Sequence, residues 1–252
     1  MYTKGNIQMK LIRTKNYQEM SKEAARFINK RVHANPALTL GLATGGTPIQ
    51  TYENLAKDYQ QNETSYQQIT TFNLDEYIGL PETDPNSYHF YMQKHLFSKI
   101  NIPNEQTFIP NGQSDNLAEE CIAYEDLIKK HGGIDLQILG LGHNGHIGFN
   151  EPGTSFEQRT HIVKLAESTI NANARFFDTM QEVPKKAITM GISTIMESKE
   201  ILLLVTGKEK YNALTKLLHG EIDPSFPASI LNEHNNLTVI ATEDAIISNK
   251  IS

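Results

Sequence analysis

The stretch LQILGLGHNGHIGFNEP, residues 136–152, joins a short apolar run to a dense group of glycines and polar side chains. Its first six residues have the length and composition of a buried strand. Continuous apolar runs of this kind predict strands covered on both faces, and hence a mostly parallel sheet. The remaining residues follow directly after this strand, at the edge of the sheet where such folds bind their ligands.

The rest of the chain repeats the alternation of apolar runs and helical patterns. Further strands are predicted at Ala37–Ala43, Ile69–Leu74, Ala187–Met190, Ile201–Val205 and Leu237–Ala241. Helices are predicted at Gln18–Val32, Pro48–Tyr59, Asn116–Lys130 and Lys208–His219. Because no repeat or linker interrupts the pattern, we expect a single domain over residues 1–252. The predicted fold is α/β, a three-layer α/β/α arrangement around a doubly wound, mostly parallel sheet of modified Rossmann-like type.

Composition disfavours several classes of protein. The 252 residues carry a net charge of −6, which argues against nucleic acid as a partner. The only cysteine, Cys121, excludes an intrachain disulfide and is predicted to lie on a buried helix face. Residues 1–10 lack the apolar core of a signal peptide, and no apolar run approaches the roughly 18 residues that span a bilayer. We therefore expect a cytoplasmic protein with no membrane partner.

The first predicted strand runs into Thr44-Gly45-Gly46-Thr47-Pro48. Glycines permit a tight turn, and exposed N–H groups at a helix N-terminus bind phosphate well. The segment has neither the Walker spacing nor the dinucleotide-binding spacing. By itself it fits a phosphate-binding turn and a plain strand-to-helix turn equally well.

Acidic residues follow the second predicted strand. Asp75 and Glu76 come directly after Phe72-Asn73-Leu74. A carboxylate at this edge of the sheet could act as a general base. The alternative is a pair of solvated loop acids, since charged loop residues are common.

The glycine-rich segment after Leu141 carries side chains suited to proton transfer. His146 can exchange protons near neutral pH, and Glu151 could orient and stabilise its protonated form. A metal site formed by His143 and His146 is disfavoured, because their spacing is not a helical i, i+4 pair and no second ligand cluster is visible. The remaining alternative is a glycine-rich loop with incidental polar residues.

Three cations later in the chain are candidate phosphate ligands. Arg175 stands beside two aromatic residues, and Lys208 and Lys210 follow a predicted strand. Arginine binds phosphate as a planar fork and lysine as a point charge. Lys208 is better explained as a solvated surface residue, whereas for Lys210 and Arg175 both interpretations remain open.

Taken together, three segments resemble the glucosamine-6-phosphate deaminase family: TGGTP at 44–48, FNLDEY at 72–77 and GHIGFNEP at 145–152. RFFD at 175–178 and VPKKAITMG at 183–191 extend the similarity over nearly the whole chain. The GHIGFNEP segment is highly specific. The TGGTP turn is shared more widely, with phosphogluconolactonase-like relatives.

The resemblance implies the conversion of glucosamine 6-phosphate and water to fructose 6-phosphate and ammonia, in amino-sugar catabolism, without cofactor or metal. It implies that His146 opens the sugar ring, that Glu151 and Asn144 hold and tune His146, and that Asp75 moves a proton between C2 and C1. It assigns the phosphate to a further set of residues. These are Thr44, Gly45, Gly46, Thr47, Arg175 and Lys210.

Two alternatives from other functional classes remain. A 6-phosphogluconolactonase-like hydrolase would explain the phosphate turn and a histidine, but it needs no base at C2. A non-catalytic sugar-phosphate sensor would be expected to lose its acid–base residues, and Asp75, His146 and Glu151 are all present.

The chain departs from the family pattern at Asn144, where some members carry aspartate. Asparagine cannot be a charged partner for His146, so more of that role is expected to fall to Glu151. A second departure concerns regulation. His161 and Val163 stand where hexameric members activated by N-acetylglucosamine 6-phosphate carry arginine and lysine, and the longer C-terminal segment of those members is missing here.

We therefore expect a monomer or small homo-oligomer that N-acetylglucosamine 6-phosphate does not activate. Binding of that anion requires cationic side chains, which these two positions lack. Initial rates plotted against substrate concentration, with and without N-acetylglucosamine 6-phosphate, should fall on one hyperbolic curve. A sigmoidal curve that becomes hyperbolic with the effector would contradict the expectation.

Overall fold

The computed structural model describes residues 2–4, 7–62, 64–165, 167, 170, 174, 177, 179–180 and 182–247. The strands are β1 (Tyr2–Lys4), β2 (Ile7–Thr14), β3 (Thr39–Leu42), β4 (Thr70–Asn73), β5 (Asp75–Tyr77), β6 (Thr107–Phe108), β7 (Leu136–Gly140), β8 (His161–Lys164), β9 (Lys186–Thr189), β10 (Glu200–Val205) and β11 (Leu237–Thr242). The α-helices are α1 (Tyr17–Ala34), α2 (Ile49–Asn62), α3 (Tyr88–His95), α4 (Leu117–Lys130), α5 (Ile192–Met196), α6 (Tyr211–His219) and α7 (Glu243–Ile246). Short 3₁₀ helices lie at Phe97–Lys99, Asn104–Gln106, Lys208–Lys210 and Pro227–Glu233.

The larger of two sheets has eight strands in the order β1-β2-β11-β10-β7-β3-β4-β6. All neighbours from β2 to β6 are parallel, and only β1 pairs antiparallel, with β2. The chain moves outward from β3 through β4 to β6, then returns and places β7 on the other side of β3. The strand order therefore reverses between β3 and β7, and open parallel sheets bind ligands at such a switch point.

Both faces of this sheet are buried, as strand β10 illustrates. Ile201, Leu203 and Val205 pack in one apolar cluster together with residues of α4 and α6. Leu202 and Leu204, which point to the opposite face, pack in a second cluster with residues of α1, α2 and α3. A strand buried on both sides has no polar face, which explains its continuous apolar run. These layers confirm the predicted doubly wound α/β fold.

The first helix illustrates why the helical segments form where they do. The side chain of Asn16 accepts a hydrogen bond from the Glu19 N–H at 3.0 Å and caps α1. Met20, Ala24 and Ile28, spaced four residues apart, lie on one buried face of this helix. Capping and periodicity therefore agree with the predicted element, which the structure extends by one or two residues at each end.

One predicted strand belongs to a different sheet. Ala187–Met190 was expected in the parallel sheet, but β9 is the central strand of a three-stranded antiparallel sheet in the order β5-β9-β8. The prediction is wrong because an apolar run reports burial and not the partner strand. Ala187 and Ile188, which point to opposite faces, are both fully buried. Within the described ranges, no helix is long and apolar enough to cross a membrane.

Candidate active site

A cleft of about 230 Å³ lies at the carboxyl ends of β3, β4, β7 and β10, four adjacent strands around the switch point. It brings together most of the site residues predicted from sequence, although they come from distant parts of the chain. Those that line it are Thr44, Gly45, Gly46, Thr47, Asp75, His146 and Lys210. Asn144 hydrogen-bonds to both His146 and Glu151 from outside the cleft lining. Arg175 lies outside the described residues.

Asp75 occupies the junction between the two sheets. Leu74 still donates its N–H to the Leu42 carbonyl of β3, while its own carbonyl accepts the N–H of Met190 at 2.6 Å. Asp75 then begins β5 and pairs with Thr189 of β9. Only 6% of the residue is exposed. Burial, together with the nearby charge of Glu76, raises the pKa of Asp75 to about 8.

Glu76 points to the opposite face of β5, where its carboxylate accepts backbone N–H groups at the start of α3. Its Oε1 accepts the backbone N–H groups of Tyr77 at 2.8 Å and Tyr88 at 3.0 Å. Its Oε2 accepts the N–H of His89 at 3.0 Å and lies 2.9 Å from the His89 Nδ1. The carboxylate thus anchors the first turn of α3. Both Asp75 and Glu76 are buried, so the alternative of two solvated loop acids does not hold.

Asn144 lies between His146 and Glu151. Its Oδ1 is 2.7 Å from the His146 Nδ1 and also accepts the His146 backbone N–H at 3.2 Å. Its Nδ2 donates to the Glu151 Oε2 at 2.7 Å. Because an amide oxygen can only accept, the His146 Nδ1 carries the hydrogen, which leaves the Nε2 of a neutral imidazole as the acceptor.

Glu151 was expected to carry more of the role of charged partner to His146, because Asn144 is uncharged. The Glu151 Oε2 is 3.8 Å from the His146 Nδ1, beyond hydrogen-bonding distance but close enough for its charge to act. The asparagine is the direct partner and links the two groups. Burial lowers the pKa of His146; Glu151 opposes this shift, while Lys210 and His143 add to it. At neutral pH these influences favour the uncharged imidazole.

The glycine at 142 makes room for the imidazole. A Cβ at Gly142 would lie 2.4 Å from atoms of the His146 ring, so any side chain here would displace it. The Gly142 N–H also donates to the His146 carbonyl at 2.9 Å. The tight turn after β7 therefore depends on this glycine and sets the position of His146.

The turn at Thr44–Thr47 and Lys210 form the cationic end of the cleft. Helix α2 begins at Ile49, one residue later than predicted, because the Pro48 carbonyl accepts the first helical N–H, from Tyr52. Lys210 ends the 3₁₀ helix after β10, and burial lowers its pKa against the opposing charge of Glu209. Lys208 does not line the cleft, as expected for a surface lysine.

Two aromatic residues, Tyr88 and Phe149, line the cleft but were not predicted from the sequence as site residues. Tyr88 lines the cleft, and its ring stacks on Phe149 with centroids 6.3 Å apart and planes 12° apart. Its hydroxyl donates to that of Tyr77 at 3.1 Å. Nothing in the local sequence distinguishes Tyr88 from other tyrosines, because its position depends on Glu76 anchoring α3.

Metal-binding side chains do not gather in the part of the chain that the structure describes. No group of three or more His, Cys, Asp or Glu residues there could hold a metal ion. His143, the second histidine considered for metal binding, is exposed and does not line the cleft.

Comparison with known proteins agrees with the fold. A model of the family described as glucosamine-6-phosphate isomerases/6-phosphogluconolactonase matches residues 13–240. The glucosamine-6-phosphate deaminase of Halalkalibacterium halodurans is 58% identical over 238 residues, which cover 94% of this chain and 97% of that protein. Glucosamine-6-phosphate deaminase 1 of Bacillus subtilis is 52% identical, with 94% and 98% covered.

Solved structures give the same grouping. The structure of a monomeric glucosamine-6-phosphate deaminase superposes with a TM-score of 0.92 at 52% identity, covering 94% of this chain and 98% of the other. The 6-phosphogluconolactonase of Thermotoga maritima superposes with a TM-score of 0.75 at 22% identity, covering 94% and 100%; this similarity supports a shared fold alone. Shared sequence over almost the full length therefore places this chain in the glucosamine-6-phosphate deaminase family.

Proposed function

We propose that this chain converts glucosamine 6-phosphate and water into fructose 6-phosphate and ammonia. The observation that carries the proposal is one cleft lined by a buried carboxylate, Asp75, an uncharged imidazole, His146, and a glycine-rich turn beside Lys210. An aldose–ketose isomerisation needs a base, a ring-opening group and an anchor for the phosphate. The names of the 52–58% identical relatives support the same reaction.

The phosphate binds at the turn Thr44–Thr47 in this proposal. Backbone N–H groups preceding α2 and the hydroxyls of Thr44 and Thr47 are suited to its oxygens. Lys210 supplies a positive charge within a chain whose net charge is −6. Arg175, which the family resemblance adds to this set, completes it as a planar fork. Anchoring the phosphate leaves the sugar extending toward Asp75 and His146.

His146 opens the pyranose ring. Its Nε2 accepts the proton of the anomeric hydroxyl, and the resulting imidazolium returns a proton to the ring oxygen as the C1–O5 bond breaks. The charge of Glu151, 3.8 Å from the Nδ1, stabilises that imidazolium. Asn144 holds the ring through the Nδ1–H hydrogen bond. General acid–base catalysis of this kind contributes about 10²- to 10⁴-fold in rate.

Asp75 then moves the proton of the isomerisation. It takes the proton from C2 of the open-chain amino aldose while the C1 oxygen takes up a proton from solvent, forming an enolamine, and then returns a proton to C1. Water adds to the resulting imine at C2, and ammonia leaves to give the ketose. A carboxyl group with a pKa of about 8 is suited to both steps, since it can accept and donate near neutral pH. Tyr88 and Phe149 cover the cleft beside it.

The lactonase and sensor alternatives explain less of the cleft. Lactone hydrolysis has no use for a buried base such as Asp75, and a sensor has no use for the Asn144–His146–Glu151 arrangement. We also propose that residues 1–252 form one domain that needs no cofactor or metal. It would act in the cytoplasm in amino-sugar catabolism, as a monomer or small homo-oligomer without activation by N-acetylglucosamine 6-phosphate.

One assay tests the proposed reaction directly. Purified protein incubated with glucosamine 6-phosphate should release ammonia and fructose 6-phosphate in equal amounts, measured by coupled enzymatic assays. In parallel, 6-phosphogluconolactone should be hydrolysed no faster than in buffer. Folded protein that hydrolyses the lactone but releases no ammonia would support the lactonase instead, and binding without either reaction would support a sensor.

Asp75→Asn should abolish turnover while leaving phosphate binding nearly intact. It should also raise the melting temperature, and by more at about pH 8 than at about pH 5. The pKa of Asp75 rises from 3.8 to about 8 on folding, so the folded state binds the proton more tightly. The wild type therefore loses stability as the pH rises through this window, and the variant does not.

The matched control for Asp75→Asn is Asp126→Asn, whose side chain is 70% exposed on α4. Its melting temperature should follow that of the wild type at both pH values, and its turnover should be normal. Near-normal turnover of Asp75→Asn would refute the role assigned to Asp75. If Asp75→Asn and the wild type had equal melting temperatures at each of the two pH values, Asp75 would not be a buried group that binds its proton more tightly in the folded state.

Glu76→Gln should shift the low-pH limb of the kcat/KM profile to lower pH. The substitution removes the charge that helps to raise the pKa of Asp75, so the base stays deprotonated at lower pH. Glu82→Gln is the control, because Glu82 is 70% exposed and 3.5 Å from the same His89. A folded Glu76→Gln enzyme with an unmoved limb would show that this charge does not tune Asp75.

A further inference from the structure

We propose that Tyr17 and Tyr91 are positioning residues of the turn Thr44–Thr47: their hydroxyls hold two carbonyl groups of the turn away from the cleft and so direct the two following N–H groups toward a bound phosphate. The inference rests on the proposed function, in which this turn binds the phosphate group. Neither tyrosine lines the cleft, so both act from behind the turn.

The hydrogen bonds define the orientation of two successive peptide groups. The Tyr91 hydroxyl donates to the Gly45 carbonyl at 2.6 Å, and the Tyr17 hydroxyl donates to the Gly46 carbonyl at 2.8 Å. In a planar trans peptide the C=O and the following N–H point in opposite directions. The N–H groups of Gly46 and Thr47 therefore point away from the tyrosines, and among the described residues neither has an acceptor.

The turn is held by three separate helices. Tyr17 is the first residue of α1, and Tyr91 lies in α3. Tyr52 of α2, fully buried, donates its hydroxyl to the carbonyl of Ala43 at 2.5 Å. Three hydroxyl groups thus bind three carbonyls within residues 43–46, two in the turn and one on the residue that precedes it. A contact from one helix would be incidental; three from different helices hold the whole turn relative to the sheet.

Such external support is needed because the turn has little rigidity of its own. Gly45 has φ = 91°, in the region that favours glycine, and glycine has more conformational freedom than other residues. A rotated peptide group would turn a carbonyl oxygen toward the phosphate, where two partial negative charges would repel. Donors fixed in advance bind an anion without reorganisation. The tyrosine hydroxyls supply that fixed orientation.

The test uses Tyr17→Phe, Tyr91→Phe and the double variant, because phenylalanine keeps the ring and removes only the hydroxyl. Dissociation constants of inorganic phosphate are measured by titration calorimetry, and KM and kcat with glucosamine 6-phosphate. Each single variant should weaken phosphate binding and raise KM by a similar factor, about three- to tenfold, the effect of one net hydrogen bond to a carbonyl of the turn. Tyr17→Phe also loses the 3.3 Å hydrogen bond that the hydroxyl accepts from the Gln50 N–H. The value of kcat should stay within about twofold, since Asp75 and His146 are untouched.

Tyr66→Phe is the matched control. Its hydroxyl donates to the Asn29 Oδ1 at 2.9 Å in a buried bond that does not involve the turn. This variant should lower the melting temperature without changing KM or the dissociation constant of phosphate. If Tyr66→Phe weakened phosphate binding as much as Tyr17→Phe or Tyr91→Phe, a general loss of stability would explain the effect, and not positioning of the turn.

Two other results would overturn the inference: unchanged phosphate binding in both folded single variants, or no phosphate binding by the wild type. Calorimetry separates this inference from the proposed reaction. If the wild type binds phosphate but releases no ammonia, the proposed function fails, while weaker phosphate binding by the two variants would still support the positioning role.

Discussion

The parallel pairing of β3 with β7 is the constraint on which the site depends. Leu40 and Gly41 pair with Leu136 and Gln137, which joins the half of the sheet built outward to β6 with the half built outward to β2. The chain after β3 enters α2, which packs on one face of the sheet, whereas Leu141 and Ile147 after β7 pack in the cluster of the other face. Because the two segments diverge, a crevice opens between the two strand ends. The turn Thr44–Thr47 and the histidine loop line the same cleft there. Asp75 and Lys210 lie just beyond the ends of the next strands outward on each side, β4 and β10.

A second feature follows from this arrangement: the chain leaves the large sheet immediately before the residue proposed as the base. Leu74 bonds to β3 on one side and to Met190 on the other, so Asp75 is enclosed where the two sheets meet. Enclosure removes water from the carboxylate and raises its pKa, which destabilises the folded protein at high pH but suits proton transfer. Glu76 supplies charge and, by anchoring α3, also places Tyr88 and Tyr91. The segment therefore connects the proposed base to the support of the turn Thr44–Thr47 through α3.

Sequence similarity and structure contribute different information about the histidine loop. The family resemblance identifies Asn144, His146 and Glu151 as a unit and leaves more of the charged role to Glu151, because asparagine is uncharged. The structure places the asparagine amide between the other two side chains, where it accepts from one and donates to the other. A neutral bridge can fix the tautomer of the imidazole, while the charge of Glu151 acts over 3.8 Å. An aspartate here could both accept the Nδ1–H and supply negative charge. In this chain Asn144 accepts the Nδ1–H, and Glu151 supplies the charge.

The sequence by itself determined the fold class, six of the strands, four of the α-helices and most residues of the candidate site, because these depend on local patterns. Strand β2 and helix α3 are among the elements that it did not predict. Apolar runs, capping residues and glycine-rich turns report burial and backbone conformation within a few residues. Only the tertiary structure decided which strands pair, since pairing is set by contacts between distant segments: β9 has the apolar run of a central parallel strand but lies in the antiparallel sheet. The same holds for the burial of Asp75, the bridge through Asn144, and the tyrosines of α1, α2 and α3. Their roles depend on what lies opposite them in space, and no short-range pattern encodes that.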